Sequence, residues 1–236
     1  MSKISDILDG KQANIENIRN GLIYTRRCGW IDLGHARPDN AKILWNKIND
    51  GNTKKNSCYE IEHSQSMEIT KFKATLETGI TRRYYIKTGL TDSEMKSVSI
   101  SIFLEISNYF ENYQASFVFK LATDSGFSAE DLVSNLIGFY RAVEPGKNYI
   151  TLCEPVSYED ARYVWDNFGP VGSNKNNSPS PYLYPTRLEF TEGPRCGQLP
   201  GFLTTITPAK SGVLFGDWDV NGYNHWIDIN INKYRK

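Results

Sequence analysis

Arg27, Cys28, Asp32, His35, Arg37 and Asp39 crowd one short stretch, directly after the apolar run Leu22-Ile23-Tyr24 and punctuated by Gly29 and Gly34. Pro38 suits the first position of a helix, so a helix is expected from there, with His35 just ahead of its N-terminus. The positive end of the helix dipole disfavours a second proton on the imidazole and keeps it neutral, as a base or a ligand must be. Asp32, three residues earlier, is placed to orient the ring. Arginine suits two-pronged carboxylate contacts, so Arg27 or Arg37 is expected to pair with Asp32 or Glu105. The plainer reading of the stretch is a strand edge and turn, with Asp32 capping and Arg37 in a local ion pair.

A second candidate is Glu105. The pattern predicts a helix over 92–115 with Met95, Val98, Ile102, Ile106, Tyr109 and Tyr113 as its apolar stripe and Glu105 at the stripe's edge. A carboxylate in a nearly buried helical position takes a partner or a raised pKa. A raised pKa is what lets a glutamate donate a proton near neutral pH. Glu105 as acid, His35 as base and Asp32 in support make a hydrolase of the glycan- or amide-cleaving kind. Arg27, Arg37, Ser128, Glu130 and Asp131 take supporting positions around them.

Two variants use the same residues differently. The three histidines, His35, His63 and His225, could hold a metal together with Glu60 or Glu105. They lack the His-Glu-x-x-His spacing that would make dispersed ligands persuasive, and no metal or cofactor is expected. Cys28 beside His35 would be a thiol nucleophile, again without a diagnostic context. A different class altogether, a non-catalytic binding or assembly protein, turns every one of these groups into scaffold. An aromatic-rich surface without net charge suits a protein partner equally.

The elements that must position these groups can be read from periodicity and punctuation. Residues 1–20 have partial helical spacing, broken at Gly10. Residues 38–49 continue as a helix with Ala41, Leu44, Trp45 and Ile48 on one face, ended by Asp50-Gly51-Asn52. The alternation of Tyr59 and Ile61 with Glu60 and Glu62 predicts a half-exposed strand. Two further strands, 69–77 and 80–88, are expected to meet in a hairpin at Thr78-Gly79. Thr91-x-x-Glu94 is a capping box announcing the 92–115 helix, and Ser128 with Asp131 announces another over 129–143. On that second helix Ser134 and Gly138 form a small-residue face that lets a neighbour approach, and Asn135 is a polar residue in mid-helix. Residues 148–153 read as a short strand, and 157–168 as a small helix capped by Ser157 and Asp160. The Gly-, Asn-, Ser- and Pro-rich stretch 169–181 reads as a mobile loop, and short strands and turns follow. One α+β domain over 1–236 is expected, with helices packed against an antiparallel or mixed sheet.

Composition narrows the function classes. The chain has 236 residues, 39% of them hydrophobic and 23% charged, which fits a folded chain with a sizeable core. The formal net charge is zero, so there is no broad positive field for nucleic acid. The four cysteines, Cys28, Cys58, Cys153 and Cys196, form no close pair of the zinc-ribbon or redox type, and their spacing leaves pairing open. No stretch is apolar and long enough to span a membrane, and the N-terminus has no signal-peptide core. The protein is expected in the cytoplasm, or exported by a machine that uses no signal peptide.

Three stretches carry a resemblance. Tyr24-Thr-x-Arg-x-Gly-x-Ile-Asp-x-x-His-x-Arg37 resembles the opening motif of the bacterial family called domain of unknown function 4056. Leu104-Glu105-Ile106 with Tyr109 is similar to its second motif. Phe127-Ser-x-Glu-Asp-Leu-x-Ser-Asn135 with Gly138 is similar to its third. The resemblance covers 21–143. It departs at Leu104, where the family pattern favours histidine, and this removes one metal-ligand candidate. The resemblance marks residues rather than a reaction. A secreted bacterial effector that degrades the cell wall, with peptidoglycan glycan or peptide as substrate, fits the missing signal peptide by association only.

Overall fold

The computed structural model describes residues 2–71, 74–114, 131–171, 180–187, 193–217 and 224–230. In chain order they form β1 (Leu22–Thr25), β2 (Gly29–Asp32), α1 (Asp39–Asn52), β3 (Cys58–Lys71), β4 (Ala74–Lys87), α2 (Asp92–Gln114), α3 (Asp131–Val143), α4 (Tyr149–Leu152), α5 (Tyr158–Phe168), β5 (Tyr182–Leu183), β6 (Arg195–Cys196), β7 (Phe215–Asp217) and β8 (Asn224–Asn230). The fold is α+β, with helices packed against antiparallel sheets. The chain groups into two compact units, each built from two separate stretches: Met1–Lys42 with Gln114–Thr205, and Ile43–Tyr113 with Ile206–Lys236.

In the first unit β1 and β2 form a tight hairpin in the register Leu22↔Asp32 to Thr25↔Gly29. The Thr25 hydroxyl donates to Gly29 O and accepts from Cys28 N, which fixes the turn. Gly29 sits at φ +67, and a Cβ there would lie 2.3 Å from Tyr182 O, so only glycine fits. Tyr24, Trp30, Val156, Ala161 and Val164 make the apolar cluster between this hairpin and α5, with Trp165 and Tyr184 against it. The other helix on the hairpin is α3, which packs on β2 and is buried along nearly its whole length. The small face expected of α3 is used as expected. Ser134 Oγ accepts from Asp32 N at 3.0 Å, and a Cβ on Gly138 would stand 2.6 Å from Arg37 O.

In the second unit β4 is the central strand. β3 pairs with it along its full length, while β7 and β8 share its other edge, β7 beside Tyr84–Ile86 and β8 beside Thr75–Thr81. The period of two puts Tyr59, Ile61 and His63 on the same face as Ile86, Tyr84 and Arg82, their register partners, and all six are buried. Glu60 and Glu62 take the opposite, exposed face, as their alternation predicts. The helix α2 begins at the Thr91/Glu94 box, with Thr91 N donating to Glu94 Oε2 and Glu94 N to Thr91 Oγ1. It lies over the apolar face of the sheet, tied by Ser107 to Gln65 and by Glu105 to Arg82.

Several expectations are corrected. The N-terminal segment is not a helix but two 3-10 turns, Ile4–Asp6 and Ile15–Asn17. Its apolar residues reach the core by chain reversal, Asn14 taking the left-handed conformation at φ 59. Thr78-Gly79 is not a turn but the middle of β4, paired with Met67 and Ser66. Gly79 reads locally as punctuation, but the pairing of a long strand overrides that propensity. Residues 149–152 are helical, not extended, because Asn148 Oδ1 accepts from Thr151 N and caps a turn that the β-branched residues alone would disfavour. Among the short strands and turns expected in the last part of the chain, Gly201–Leu203 is a 3-10 turn. Ser128, Glu130 and residues 172–179 of the expected loop lie outside the described residues.

Candidate functional site

His35 is carried by a turn between β2 and α1, and Asp32 builds that turn. Asp32 Oδ1 accepts from Gly34 N at 2.7 Å and from His35 N at 3.3 Å, while Ala36 N donates to Asp32 O. This is the local side-chain turn that aspartate favours. Arg141 of α3 clamps the far side, donating to Ala36 O and Glu16 O, both at 2.6 Å. The ring then meets α3. His35 Nδ1 lies 3.2 Å from Asn135 Oδ1, and Nε2 lies 3.8 Å from Asp131 Oδ1. The imidazole keeps 34% of its surface exposed against 10% for the Asp131 side chain, so a partly open base faces a nearly closed carboxylate. Asn135 is buried, and its Nδ2 has no hydrogen-bond partner among the described residues. Asp32 also borders a cavity of about 390 Å³ shared with Ser2, Asp6 and Asn20.

Asp32 therefore does not orient the ring through its carboxylate. It shapes the backbone under the ring, and Asp131 and Asn135 face the imidazole nitrogens. Arg27 and Arg37 find carboxylates, but not the expected ones. Arg37 pairs with Asp39, through Nε at 2.7 Å and through Nη2. Arg27 Nη1 lies 3.9 Å from Glu154, and its guanidinium stacks 4.8 Å over the Phe202 ring. Sequence neighbours supplied the nearer charge in the first case, and α4 brought Glu154 within reach in the second.

Glu105 belongs to the second unit. It is held by Arg82, whose Nη1 lies 2.5 Å from Glu105 Oε1 and whose Nη2 pairs with Asp217 Oδ2. The guanidinium also sits 5.3 Å over the Tyr109 ring. Burial pushes the Glu105 carboxyl up from its ordinary value, and the Arg82 charge and hydrogen bond work against that rise. The partner or raised pKa that its stripe-edge position demands are thus both present. Beside Arg82 in the register, His63 is fully buried, and burial together with the Lys47 charge lowers its pKa to about 3.

Arg82, Asp217 and Arg141 were not singled out as site residues by the sequence. Arg82 was visible only as half of an Arg-Arg pair, and its inward face follows from the strand period once Tyr84 and Ile86 are placed in the core. Asp217 and Arg141 carried no usable signal, since each meets its partners across long sequence separations. Asn135 did signal itself, as a polar residue in an apolar helix. All four cysteines are free thiols, Cys28 and Cys153 buried and Cys58 and Cys196 exposed. Burial, reinforced by Cys28, pushes the Cys153 thiol up, and Cys28, closed from solvent, has no access to a substrate. Among the described residues no three His, Cys, Asp or Glu side chains cluster closely enough to hold a metal ion, and no helix is long and apolar enough to cross a membrane.

Compared with curated proteins and with solved structures, the chain has no match. The described parts of the three motif stretches lie on the turn bearing Asp32 and His35, on the α2 segment bearing Glu105, and on the α3 face bearing Asp131, Ser134, Asn135 and Gly138. Residues 5–145 match the model of one family along this whole region, and the chain belongs to the family described as protein of unknown function, DUF4056.

Proposed function

We propose that the chain is a bacterial cell-wall hydrolase in which His35 takes a proton from water and Asp131 holds the resulting charge. The observation that carries this reading is the spacing around one imidazole. With its proton on Nδ1, the ring donates to Asn135 Oδ1 at 3.2 Å and turns the Nε2 lone pair toward Asp131, 3.8 Å away. That gap is too long for a direct hydrogen bond and matches two groups touching one water. Transfer of a proton from that water to Nε2 leaves hydroxide as nucleophile and an imidazolium facing a carboxylate. Asp32, through the turn it caps, positions the ring.

Glu105 is retained as a proton donor, supported by the upward pull of burial on its carboxyl. The wall glycan or peptide as substrate is supported by the family's bacterial character and the aromatic-rich composition. A second reading, a binding or assembly protein, is favoured by the doubly paired Arg82, an arrangement that scaffolds also use.

The deciding experiment incubates purified peptidoglycan with the parent, H35Q, D131N and E105Q proteins and reads released fragments by mass spectrometry. The parent releases fragments, and H35Q and D131N release about 10²-fold less or lower still. Equal release by H35Q overturns the role of His35, and equal release by E105Q removes Glu105 alone. No release by the parent, with the protein retained on the wall, moves the assignment to the binding class.

A further inference from the structure

We propose that Cys28 and Cys153 form a disulfide when the chain folds in an oxidising medium, a modification that staples the β1–β2 hairpin to the end of α4. The backbone sets the two residues side by side. Residues 24–27 and 153–156 run antiparallel. Val156 N donates to Tyr24 O and Arg26 N to Glu154 O, both at 3.0 Å, and Arg27 N to Cys153 O at 3.2 Å. Thr25 and Pro155 are bridge partners in the same pairing. Paired extended segments hold facing Cα atoms roughly 4.5–5.5 Å apart, a distance that a disulfide spans. Cys28 follows directly on the Arg27–Cys153 hydrogen bond, and the two thiols are in hydrogen-bond contact with each other.

Local structure on both sides keeps this contact. The Thr25 hydroxyl accepts from Cys28 N at 3.2 Å and donates to Gly29 O, so Cys28 is pinned in the hairpin turn. Cys153 ends α4, its Sγ donating to Tyr149 O at 3.1 Å. Glu154 follows at φ 59, a left-handed conformation that glutamate rarely adopts. It turns the chain out of α4 so that Glu154 O meets Arg26 N. Cys28 is 1% exposed and Cys153 0%, so no oxidant reaches either thiol in the closed, reduced chain. The exchange therefore belongs to folding, before the hairpin and α4 close on each other. One cysteine thiolate attacks the disulfide of a glutathione-type oxidant and releases the first glutathione. The second thiolate attacks the resulting mixed disulfide at the cysteine sulfur and releases the other. Both cysteine protons end on the two released thiols, and the oxidant takes both electrons.

The test refolds the full chain from guanidinium, once with oxidised glutathione and once with dithiothreitol. C58S and C196S are introduced first, because those two thiols are exposed and would react on their own. In the oxidising arm alone the product is lighter by two hydrogens, and its protease digest contains one linked pair of peptides joining Cys28 to Cys153. A bridge between residues so far apart in sequence narrows the unfolded ensemble, so the oxidised form melts about 10 °C above the reduced form. C28A and C153A each remove that difference. The difference is read within each variant, oxidised against reduced, so a variant of lower stability still reports. Free thiols or glutathione adducts in place of the linked pair overturn the proposal, and so does a bridged form that melts no higher than the reduced one. The readouts are thiol state and melting temperature, so they are independent of wall cleavage and of the hydrolase reading.

Discussion

His35 and Glu105 both sit on apolar frameworks, and their surroundings differ in kind. The imidazole is partly open and faces a carboxylate across a gap. Its nitrogens face Asn135 and Asp131 of α3. Glu105 shares a buried arginine with Asp217, and that arginine is only 8% exposed. One cation between two carboxylates leaves little freedom, since every change of charge there disturbs two other groups. The first arrangement suits proton transfer. The second holds α2, β4 and β7 together, and burial there still pushes the Glu105 carboxyl up. Residues with acid-base capacity thus divide by environment, and exposure and spacing, more than residue type, say which group is poised.

The largest expected effect tests the second cluster. R82M leaves two carboxylates facing each other without their cation, and removing one partner of a buried pair costs about 3–5 kcal/mol. Urea denaturation of the variant should show this, and a silent R82M would break the contrast drawn between the clusters. G138A tests the first cluster through its support. The added methyl meets the Arg37 carbonyl at 2.6 Å, a backbone atom that cannot rotate away. A loss near 3 kcal/mol is expected, about the upper end for overpacking, with the His35 ring resonances shifted in NMR spectra.

His63 gives a pH test. Its pKa falls from 6.5 to about 3 on folding, so between those values the unfolded chain binds the extra proton. Stability therefore rises with pH across that window and is lost as pH falls through it. Between pH 6.5 and 5 the loss is roughly 2 kcal/mol, and H63L should flatten that slope in thermal melts. The smallest effect is S134A, which removes the acceptor of Asp32 N and costs about 1 kcal/mol. Its value is in sharpening the first cluster. If the α3 contact positions the His35 turn, S134A lowers the rate of wall cleavage more than it lowers stability.

Much of the scaffold was legible because local rules decide it. The Thr91/Glu94 box, the α2 and α3 stripes, the Ser157 cap and the Glu60/Glu62 alternation rest on periods and capping chemistry that act within a few residues. The N-terminal turns, the long β4 and the small α4 depart from their local patterns because tertiary pairing or one cap outweighs propensity. Gly79 is such a case, reading as a turn and sitting in mid-strand because β3 and β8 both pair with it.

The sequence by itself determined which residues could matter: the motif carrying Asp32 and His35, the stripe-edge Glu105, and the small face of α3 with Asn135 beside it. Only the tertiary structure decided who meets whom. Asp131 and Asn135 reach His35 across a separation of about a hundred residues, 100 in the case of Asn135, and Asp217 reaches Arg82 through the pairing of β7 with β4. Charge partners at such distances are chosen by packing, which no local pattern encodes. That is why Asp32, the nearest carboxylate in sequence, shapes the turn while a distant one faces the ring.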